Sequence, residues 1–369
     1  MSFTADDHLY MSRALQLAEQ GLYSTQPNPR VGCVIVKDGK IVGEGAHLKA
    51  GEPHAEVFAI KQAGNAAKGA TAYVTLEPCS HTGRTPPCAH ALLEAGIAKV
   101  IAAMVDPNPL VAGSGLAHLQ ANGIETASGL MQAQASALNP GFISRMSRNL
   151  PFLRCKIAAS LDGKTALNNG ASQWITSEAA RLDVQHWRAR SCAILTGIGT
   201  VLSDNPSMTV RDLQTNRQPL KVIVDSRLQT PIDAKILQGG NILIAFAQSN
   251  PQKEAQLLAA GAQVLCIPND AGKVCLKTLL RHLASCEINE VLSEAGEGLN
   301  GALMAQGLID EVLLYYAPKI MGSTAKGLFA MPELTQMSQA IHLDIIEMRQ
   351  IGVDIRLRAK LVLTTNHAH

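Results

Sequence analysis

No window of this sequence carries a run of lysine or arginine, and the formal net charge is only +2 over 369 residues. A partner held mainly by neutralised phosphates is therefore disfavoured, nucleic acid included. Aromatic residues are scarce, at 4% with two tryptophans, so the stacking platforms that read single-stranded RNA are missing. No apolar run reaches the roughly 18 residues that a membrane span requires. The opening stretch MSFTADDHLYMSRALQLAEQ carries acids early and has amphipathic spacing, unlike a secretory leader. Internal repeats and low-complexity segments are absent too. The eight cysteines are scattered, most of them inside apolar segments such as VGCVIV, LRCKIA and VLCIP. That is the usage of a reducing compartment, with thiols serving as small core residues. A soluble, cytoplasmic protein is expected.

What is present is enough to build real cores. Hydrophobic residues make up 47% and charged residues 17%, which is ordinary for a globular protein. The length exceeds what one core usually supports, so two domains of roughly 150–200 residues are expected. Met11, Ala14, Leu15 and Ala18 recur at helical spacing, with Gly21 past the end. VGCVIV and KIVGEG are strand-like runs joined by Lys37-Asp38-Gly39-Lys40, a hairpin signal. HAEVFAIKQA reads as a helix closed by Gly64, TAYVTL as a buried strand, CAHALLEA as a helix closed by Gly96, and VIAAMV as another strand. This alternation predicts a layered α/β sheet opened by a hairpin.

Near residues 140–151 the run NPGFISRMSRNLP shows neither strand nor helix periodicity. It is taken as the seam between domains 1–146 and 147–369. Beyond it the strand candidates are FLRCKIAA, CAILTG, LKVIVD, NILIAF, QVLCIP, VLSEAG and VLLYYAP, with helix-period segments between most of them. DIRLRAKLVL alternates polar and apolar residues and suits an edge strand at the end.

The sharpest signal is His54-Ala55-Glu56, then Pro78-Cys79, then Cys88. A catalytic zinc wants three protein ligands and an open position for water, and one imidazole with two thiolates supplies them. Glu56 lies two residues beyond His54 at a helix start. From there it can face the open position without binding the metal and move a proton from water to a leaving amine. Zinc lowers the pKa of such a water from about 16 toward 7. The H-x-E…P-C-x-x-C pattern marks zinc nucleobase deaminases, and this chain departs from it by placing the second cysteine nine residues on. His81 and Arg84, on the enlarged loop, are expected substrate contacts. Asn28, held in the stiff Gln26-Pro27-Asn28-Pro29 segment, and His47 on the hairpin region are candidates for base-edge hydrogen bonds.

QPNPRVGCVIVKDG, GEPHAE and TLEPCSHTGRTPPC, in this order, resemble the deaminase half of the bifunctional riboflavin-biosynthesis deaminase/reductase family. KIAASLDGKTA, SQWIT, TGIGTVLSDNPSMTVR and SEAGEGLNGALMAQGLIDEVLLYYAPKIMG are similar to its reductase half. The resemblance implies a cytidine-deaminase-like three-layer α/β/α domain, then a dihydrofolate-reductase-like α/β domain that binds NADPH. It implies two steps on one ligand. The first is hydrolytic deamination of 2,5-diamino-6-ribosylamino-4(3H)-pyrimidinone 5′-phosphate, and the second is reduction of the ribosyl group to ribityl.

Carried over motif by motif, Ala158, Trp174, Thr200, Asp204, Ser226 and the loop Gly296, Glu297, Gly298, Leu299, Asn300, Gly301 and Ala302 fall where the family holds NADPH. Ser172, Arg188, Met208, Arg211 and Glu294 fall where it holds the phosphorylated substrate. Ser172, Arg188 and Arg211 are expected to grip the phosphate, and Glu294 to orient the pyrimidine or sugar. Lys156 and Asp204 are second-rank candidates for proton handling. An acid beside a cofactor phosphate is unexpected, so the Glu297 side chain is expected to turn to solvent. A homo-oligomer is expected.

Read without the resemblance, the second half says less. Gly296 to Gly301 is formally G-x-G-x-x-G between a strand and a helix, where backbone N–H groups can cradle phosphate. It lacks an acid about twenty residues on, so a Rossmann site is disfavoured, and the glycines equally suit a tight turn. Arg188, beside Trp187 and Arg190, suits a solvated helix face. Arg211 follows a proline-containing loop, a common place for a phosphate anchor. A nucleic-acid deaminase with an RNA-binding C-terminal half is countered by the missing basic patches. A non-catalytic ligand sensor is countered by the intact His54, Glu56, Cys79 and Cys88.

Overall fold

The chain, in a computed structural model that describes residues 3–80, 87–109 and 111–362, divides into two compact units between Leu150 and Pro151. The first unit runs α1 (Ala5–Glu19), β1 (Gly32–Lys37), β2 (Lys40–Ala46), α2 (Ala55–Ala63), β3 (Thr71–Val74), α3 (Cys88–Glu94), β4 (Lys99–Ala102), α4 (Ser114–Ala121), β5 (Glu125–Ser128), α5 (Gln132–Leu138) and α6 (Pro140–Arg148). Among the described residues its sheet has the order β2-β1-β3-β4-β5, antiparallel through β2, β1 and β3 and parallel from β3 to β5. Asp38 and Gly39, at φ 51° and 74°, make the two-residue hairpin that the sequence predicts, because its left-handed turn matches the strand twist.

Glycines on β1 and β2 show how tightly both faces are covered. A Cβ on Gly32 would lie 2.0 Å from the Ala14 carbonyl oxygen of α1, and one on Gly45 2.0 Å from the Ala55 oxygen of α2. Gly45 pairs with Cys33, the neighbour of Gly32, so the two helices cover opposite faces, as the alternation of a strand requires. The result is three layers.

The second unit runs β6 (Phe152–Ser160), α7 (Glu178–Arg190), β7 (Ala193–Gly197), α8 (Ile198–Asp204), β8 (Leu220–Val224), β9 (Ile242–Phe246), α9 (Pro251–Ala259), β10 (Gln263–Cys266), α10 (Leu276–Ser285), β11 (Glu290–Ser293), α11 (Glu297–Ala305), β12 (Glu311–Ala317), β13 (Leu343–Ile351) and β14 (Asp354–Leu361). Its sheet has the order β10-β9-β8-β7-β11-β6-β12-β14-β13. The strands are parallel as far as β12 and antiparallel after it. No helix among the described residues is long and apolar enough to cross a membrane.

Four expectations are corrected. The seam residues hold a helix, α6, which crosses positions 146 and 147. Pro140 sits at its first position and Asn149, at φ 53°, closes it. Its buried residues are Gly141 and Ser144, and its apolar face, with Phe142 and Ile143 on the core, is short and set among polar residues. Strand β14 is not an edge, because it lies between β12 and β13. The edge is β13, whose Ile345 and Met348 are 60% and 71% exposed, so its sequence shows no alternation to read. Cys266, placed in an apolar segment, is exposed because β10 is the opposite edge. Glu297 does not turn free to solvent, since its carboxylate accepts from Gly327 N at 3.2 Å.

Candidate active sites

His54 is the residue just before α2, in extended conformation, and its side chain makes no capping bond. The imidazole is thereby left to face Cys79, which follows β3, and Cys88, the first residue of α3. Its Nδ1 lies 3.1 Å from Cys88 Sγ and 3.7 Å from Cys79 Sγ, and the three donor atoms all fall within 4.8 Å of one another. A tetrahedral zinc needs donor separations of about 3.5–3.8 Å from its ordinary bond lengths, so the set fits that metal.

The site's electrostatics follow from this crowding. A hydrogen bond from the Cys88 thiol, helped by His54 and by the Cys88 N–H at 3.3 Å, lowers the Cys79 thiol to about 4. The same bond, with burial, pushes the Cys88 thiol up. The bond to Cys79 likewise raises His54. Glu56, in the first turn of α2, is 3% exposed. Burial raises its carboxyl while His54 pulls the other way, and it meets the Cys88 thiol. A buried carboxyl beside a metal site can both take and give a proton.

The structure also brings Asn28 and His47 here. His47 Nδ1 lies 3.1 Å from the Pro53 oxygen and its Nε2 3.1 Å from Asn28 Nδ2. Donation to Pro53 leaves Nε2 as the acceptor for the Asn28 amide. The His47 ring meets the His54 ring edge-on at 5.3 Å, and burial lowers its pKa, which favours the neutral form. His81 and Arg84 lie outside the described residues. One acid escaped the sequence reading. Glu77, 4% exposed, sits two residues before Cys79 and bonds to residues 29 to 39 positions further on, which no local pattern shows.

In the second unit the expected residues collect around the C-terminal ends of β6, β7, β8 and β11, where parallel sheets bind ligands. Glu294, just past β11, takes Arg188 of α7 in a two-pronged ion pair at 2.6 and 2.9 Å, with Lys156 of β6 at 3.8 Å. Burial works to raise the Glu294 carboxyl, but Arg188 and Lys156 outweigh it and hold it at about 2. Burial lowers the Lys156 ammonium, against Glu294. Arg188 is not a solvated face. It also donates to the Thr209 oxygen and lies 3.9 Å from Met208 Sδ. Arg211 is exposed, tied by its backbone N–H to Gln185 at 2.9 Å, and its charge reaches Glu294.

The remaining cofactor candidates are more open. Trp174 is 64% exposed with Arg181 over its ring at 4.5 Å, and Lys319 donates to its carbonyl. Ser172 is half-buried two residues earlier, and Ala158 is half-buried on β6. Thr200 and Asp204 lie on α8, where Asp204 is exposed and accepts from Ser203. Ser226 follows β8, and its hydroxyl accepts from Val274 N. Of Gly296 to Ala302, only Gly296 precedes the helix. A Cβ on Gly296 or Gly298 would meet nothing within 4 Å, whereas one on Gly301 would strike the Ala330 oxygen at 2.0 Å. Gly296 and Gly298 therefore leave room for a ligand at the start of α11, and Gly301 is there for packing. Asn300 is buried and donates to the Ala295 oxygen.

The family model described as the cytidine and deoxycytidylate deaminase zinc-binding region matches residues 4–104, and the RibD C-terminal domain matches residues 151–357. Riboflavin biosynthesis protein RibD of Escherichia coli strain K12 is 49% identical over 364 residues, covering 95% of this chain and 98% of that protein. This chain belongs to the RibD family. The RibD of Haemophilus influenzae is 46% identical, over 97% of this chain and 98% of that one. The solved Acinetobacter baumannii RibD, form 1, matches with a TM-score of 0.90 at 46% identity, over 97% and 99% of the two chains. A Thermotoga maritima diaminohydroxyphosphoribosylaminopyrimidine deaminase/5-amino-6-(5-phosphoribosylamino)uracil reductase matches at 0.84 with 32% identity, over the same shares. As a member of this family, the protein is a bifunctional deaminase and reductase of riboflavin biosynthesis, with a zinc-binding deaminase domain and an NADPH-dependent reductase domain.

Proposed function

We propose that His54, Cys79 and Cys88 hold the zinc and that Glu56 moves the proton in deamination of 2,5-diamino-6-ribosylamino-4(3H)-pyrimidinone 5′-phosphate. The second unit then converts the ribosyl group to ribityl, giving 5-amino-6-ribitylaminouracil 5′-phosphate. The observation that carries the reading is the convergence of one imidazole and two thiols within 4.8 Å beside a buried acid. Zinc, when bound, supplies the Lewis acidity that makes water nucleophilic at neutral pH. Glu56 takes a proton from that water and hands it to the departing amino group, so water enters and ammonia leaves. His47 holds Asn28, which is left to present its amide oxygen to the ring edge, and His81 and Arg84 complete the substrate contacts.

In the second unit NADPH, when bound, supplies the hydride, and the protein's work is orientation and electrostatics. Ala158, Trp174, Thr200, Asp204, Ser226 and the Gly296–Ala302 segment line the cofactor side. Ser172, Met208 and Arg211 line the substrate side with the Arg188–Glu294 pair, and Arg211 is best placed to meet the phosphate. Lys156, beside Glu294, is a better-placed proton handler than the exposed Asp204. The exposed Ile345 and Met348 on edge strand β13 support a homo-oligomer, and the eight scattered cysteines support a cytoplasmic enzyme.

Product analysis with the purified protein tests the reading. Without NADPH the diaminopyrimidine should be deaminated and go no further, and with NADPH the ribityl product should accumulate. Glu56→Gln should keep its zinc while deamination falls by roughly 10²–10⁴ and reduction of pre-deaminated substrate continues. Near-normal deamination by that variant would remove Glu56 from the mechanism.

A further inference from the structure

We infer that Glu77 is the positioning residue that fixes Cys79 in the metal site, by binding its carboxylate to the start of α4 and the loop before it. The inference rests on the proposed zinc set and concerns a residue outside it. Glu77 Oε2 accepts from Asp106 N and Gly113 N, both at 2.9 Å, and Oε1 accepts from Gly115 N at 2.8 Å and Leu116 N at 3.3 Å. Its own N–H donates to the Met104 oxygen at 2.9 Å. Every lone-pair direction of this 4% exposed carboxylate is thus taken by a backbone donor, two of them from the first turn of α4.

The contact is close as well as polar. A Cβ on Gly115 would fall 1.9 Å from the Pro78 oxygen and 3.2 Å from Glu77 Oε1, so the 77–78 backbone lies directly on α4. Cys79 is the next residue. β3 ends at Val74, and beyond it only the Thr75 N–H to the Gly32 oxygen and the Glu77 N–H to the Met104 oxygen continue the pairing on the way to Cys79. The Glu77 side chain adds a second anchor, to α4, beside the backbone bonds to the sheet. Partners that hold ligand-bearing groups commonly change metal affinity 10–100-fold when removed.

Glu77→Gln keeps the shape but replaces one acceptor oxygen with a donor NH₂. That group must face either the Asp106 and Gly113 pair or the Gly115 and Leu116 pair, leaving N–H opposed to N–H. The test follows zinc transfer from the purified protein to a chromogenic chelator, and the thiolate-to-metal absorption of the cobalt-substituted protein. Reductase turnover serves as the control for the other unit. The variant should release zinc about 10–100-fold faster with a shifted cobalt band and unchanged reductase turnover, and Glu77→Asp should fall between it and the parent. Parental release and a parental cobalt spectrum in Glu77→Gln overturn the inference. If that variant's deaminase unit does not fold, the same two readouts on Glu77→Asp decide, and parental values there overturn it equally. A parent protein that binds no zinc would sink the ligand assignment first, a result separable from either of these.

Discussion

The two units cover their sheets with helices in similar ways but distribute charge in opposite ones. In the deaminase unit the core is alanine, valine, isoleucine and leucine, and the ion pairs lie toward the surface, as with Arg13–Glu44 and Lys99–Glu125. Buried ionisable groups there include those of the metal site, Glu77, and Arg30, whose guanidinium donates to the Leu138 and Leu22 carbonyl oxygens. In the reductase unit a charge network runs through the sheet. Arg154 binds Glu311 at 2.8 Å and Glu290 at 3.3 Å, Arg190 binds Glu290 at 2.8 Å, and Arg358 binds Glu311 at 2.9 Å. Four guanidinium groups, those of Arg154, Arg358, Arg356 and Arg190, stand 4.7 to 5.8 Å from the Trp187 ring. One unit buries its charges singly, at its metal site and at backbone anchors such as Arg30 and Glu77. The other uses buried charges to join β6, β11, β12 and β14.

The largest expected effect separates the units outright. Cys79→Ser exchanges a soft ligand for a hard one and should lose zinc and deaminase activity together, leaving reduction of pre-deaminated substrate intact. Elemental analysis and the two assays check it. A fully zinc-loaded variant breaks the assignment of the metal, and a parallel loss of reduction in folded protein breaks the independence of the two sites.

Acid should act on the reductase unit through its buried carboxylates. Glu294 and Glu311 are each held at about 2 by neighbouring cations that outweigh their burial, against about 4.3 for an unfolded glutamate. A depressed carboxyl contributes stability above its unfolded pKa and loses it as pH falls through the folded one. Each should thus contribute about 3 kcal/mol at neutral pH, lost between about pH 4.5 and 2. Both tryptophans, Trp174 and Trp187, lie in this unit, so urea midpoints followed by tryptophan fluorescence read it selectively. A midpoint constant across that window would show that the network does not carry these shifts.

Much of this contrast could be read from the sequence on one side only. The metal set was legible because a helix start, the chain just past a strand and a helix start each fix one ligand, and the hairpin before them and the glycines between them are local signals. Arg188 was not, because its partner Glu294 lies 106 positions away and a basic residue on a helix otherwise reads as a solvated face. Glu77 was hidden for the same reason, and Glu297 because its acceptor role depends on Gly327. Exposed elements such as β5 and β13 present no buried face, and in α6 the apolar face is only Phe142, Ile143 and Met146 behind a proline and a glycine, so pattern alone passes over them.

Breaking the charge network itself should be costly but smaller. Arg154→Met removes a cation that is 1% exposed and leaves Glu290 to Arg190 and Glu311 to Arg358. Orphaning buried charges in this way costs about 3–5 kcal/mol, and the two remaining arginines place the expectation at the lower end. The tryptophan midpoint should fall accordingly while zinc content stays at one per chain. A loss below about 1 kcal/mol would mean that the network sets register without contributing net stability.

The smallest effect distinguishes arginines within the reductase unit. Arg188 is 9% exposed and committed to Glu294, so its removal should destabilise the fold and blur any kinetic reading. Arg211 is exposed and held through its backbone, so its guanidinium is available to a phosphate at little structural cost. Arg211→Ala should therefore leave the tryptophan midpoint unchanged. It should raise KM for the phosphorylated substrate by roughly 10–150-fold, the equivalent of a charge-assisted contact of about 1.5–3 kcal/mol. NADPH affinity should hardly change, and the dephosphorylated substrate should not distinguish parent from variant. If the dephosphorylated substrate suffers equally, Arg211 acts on the ring or sugar through Glu294, whose carboxyl it helps to hold low, and the phosphate is bound elsewhere.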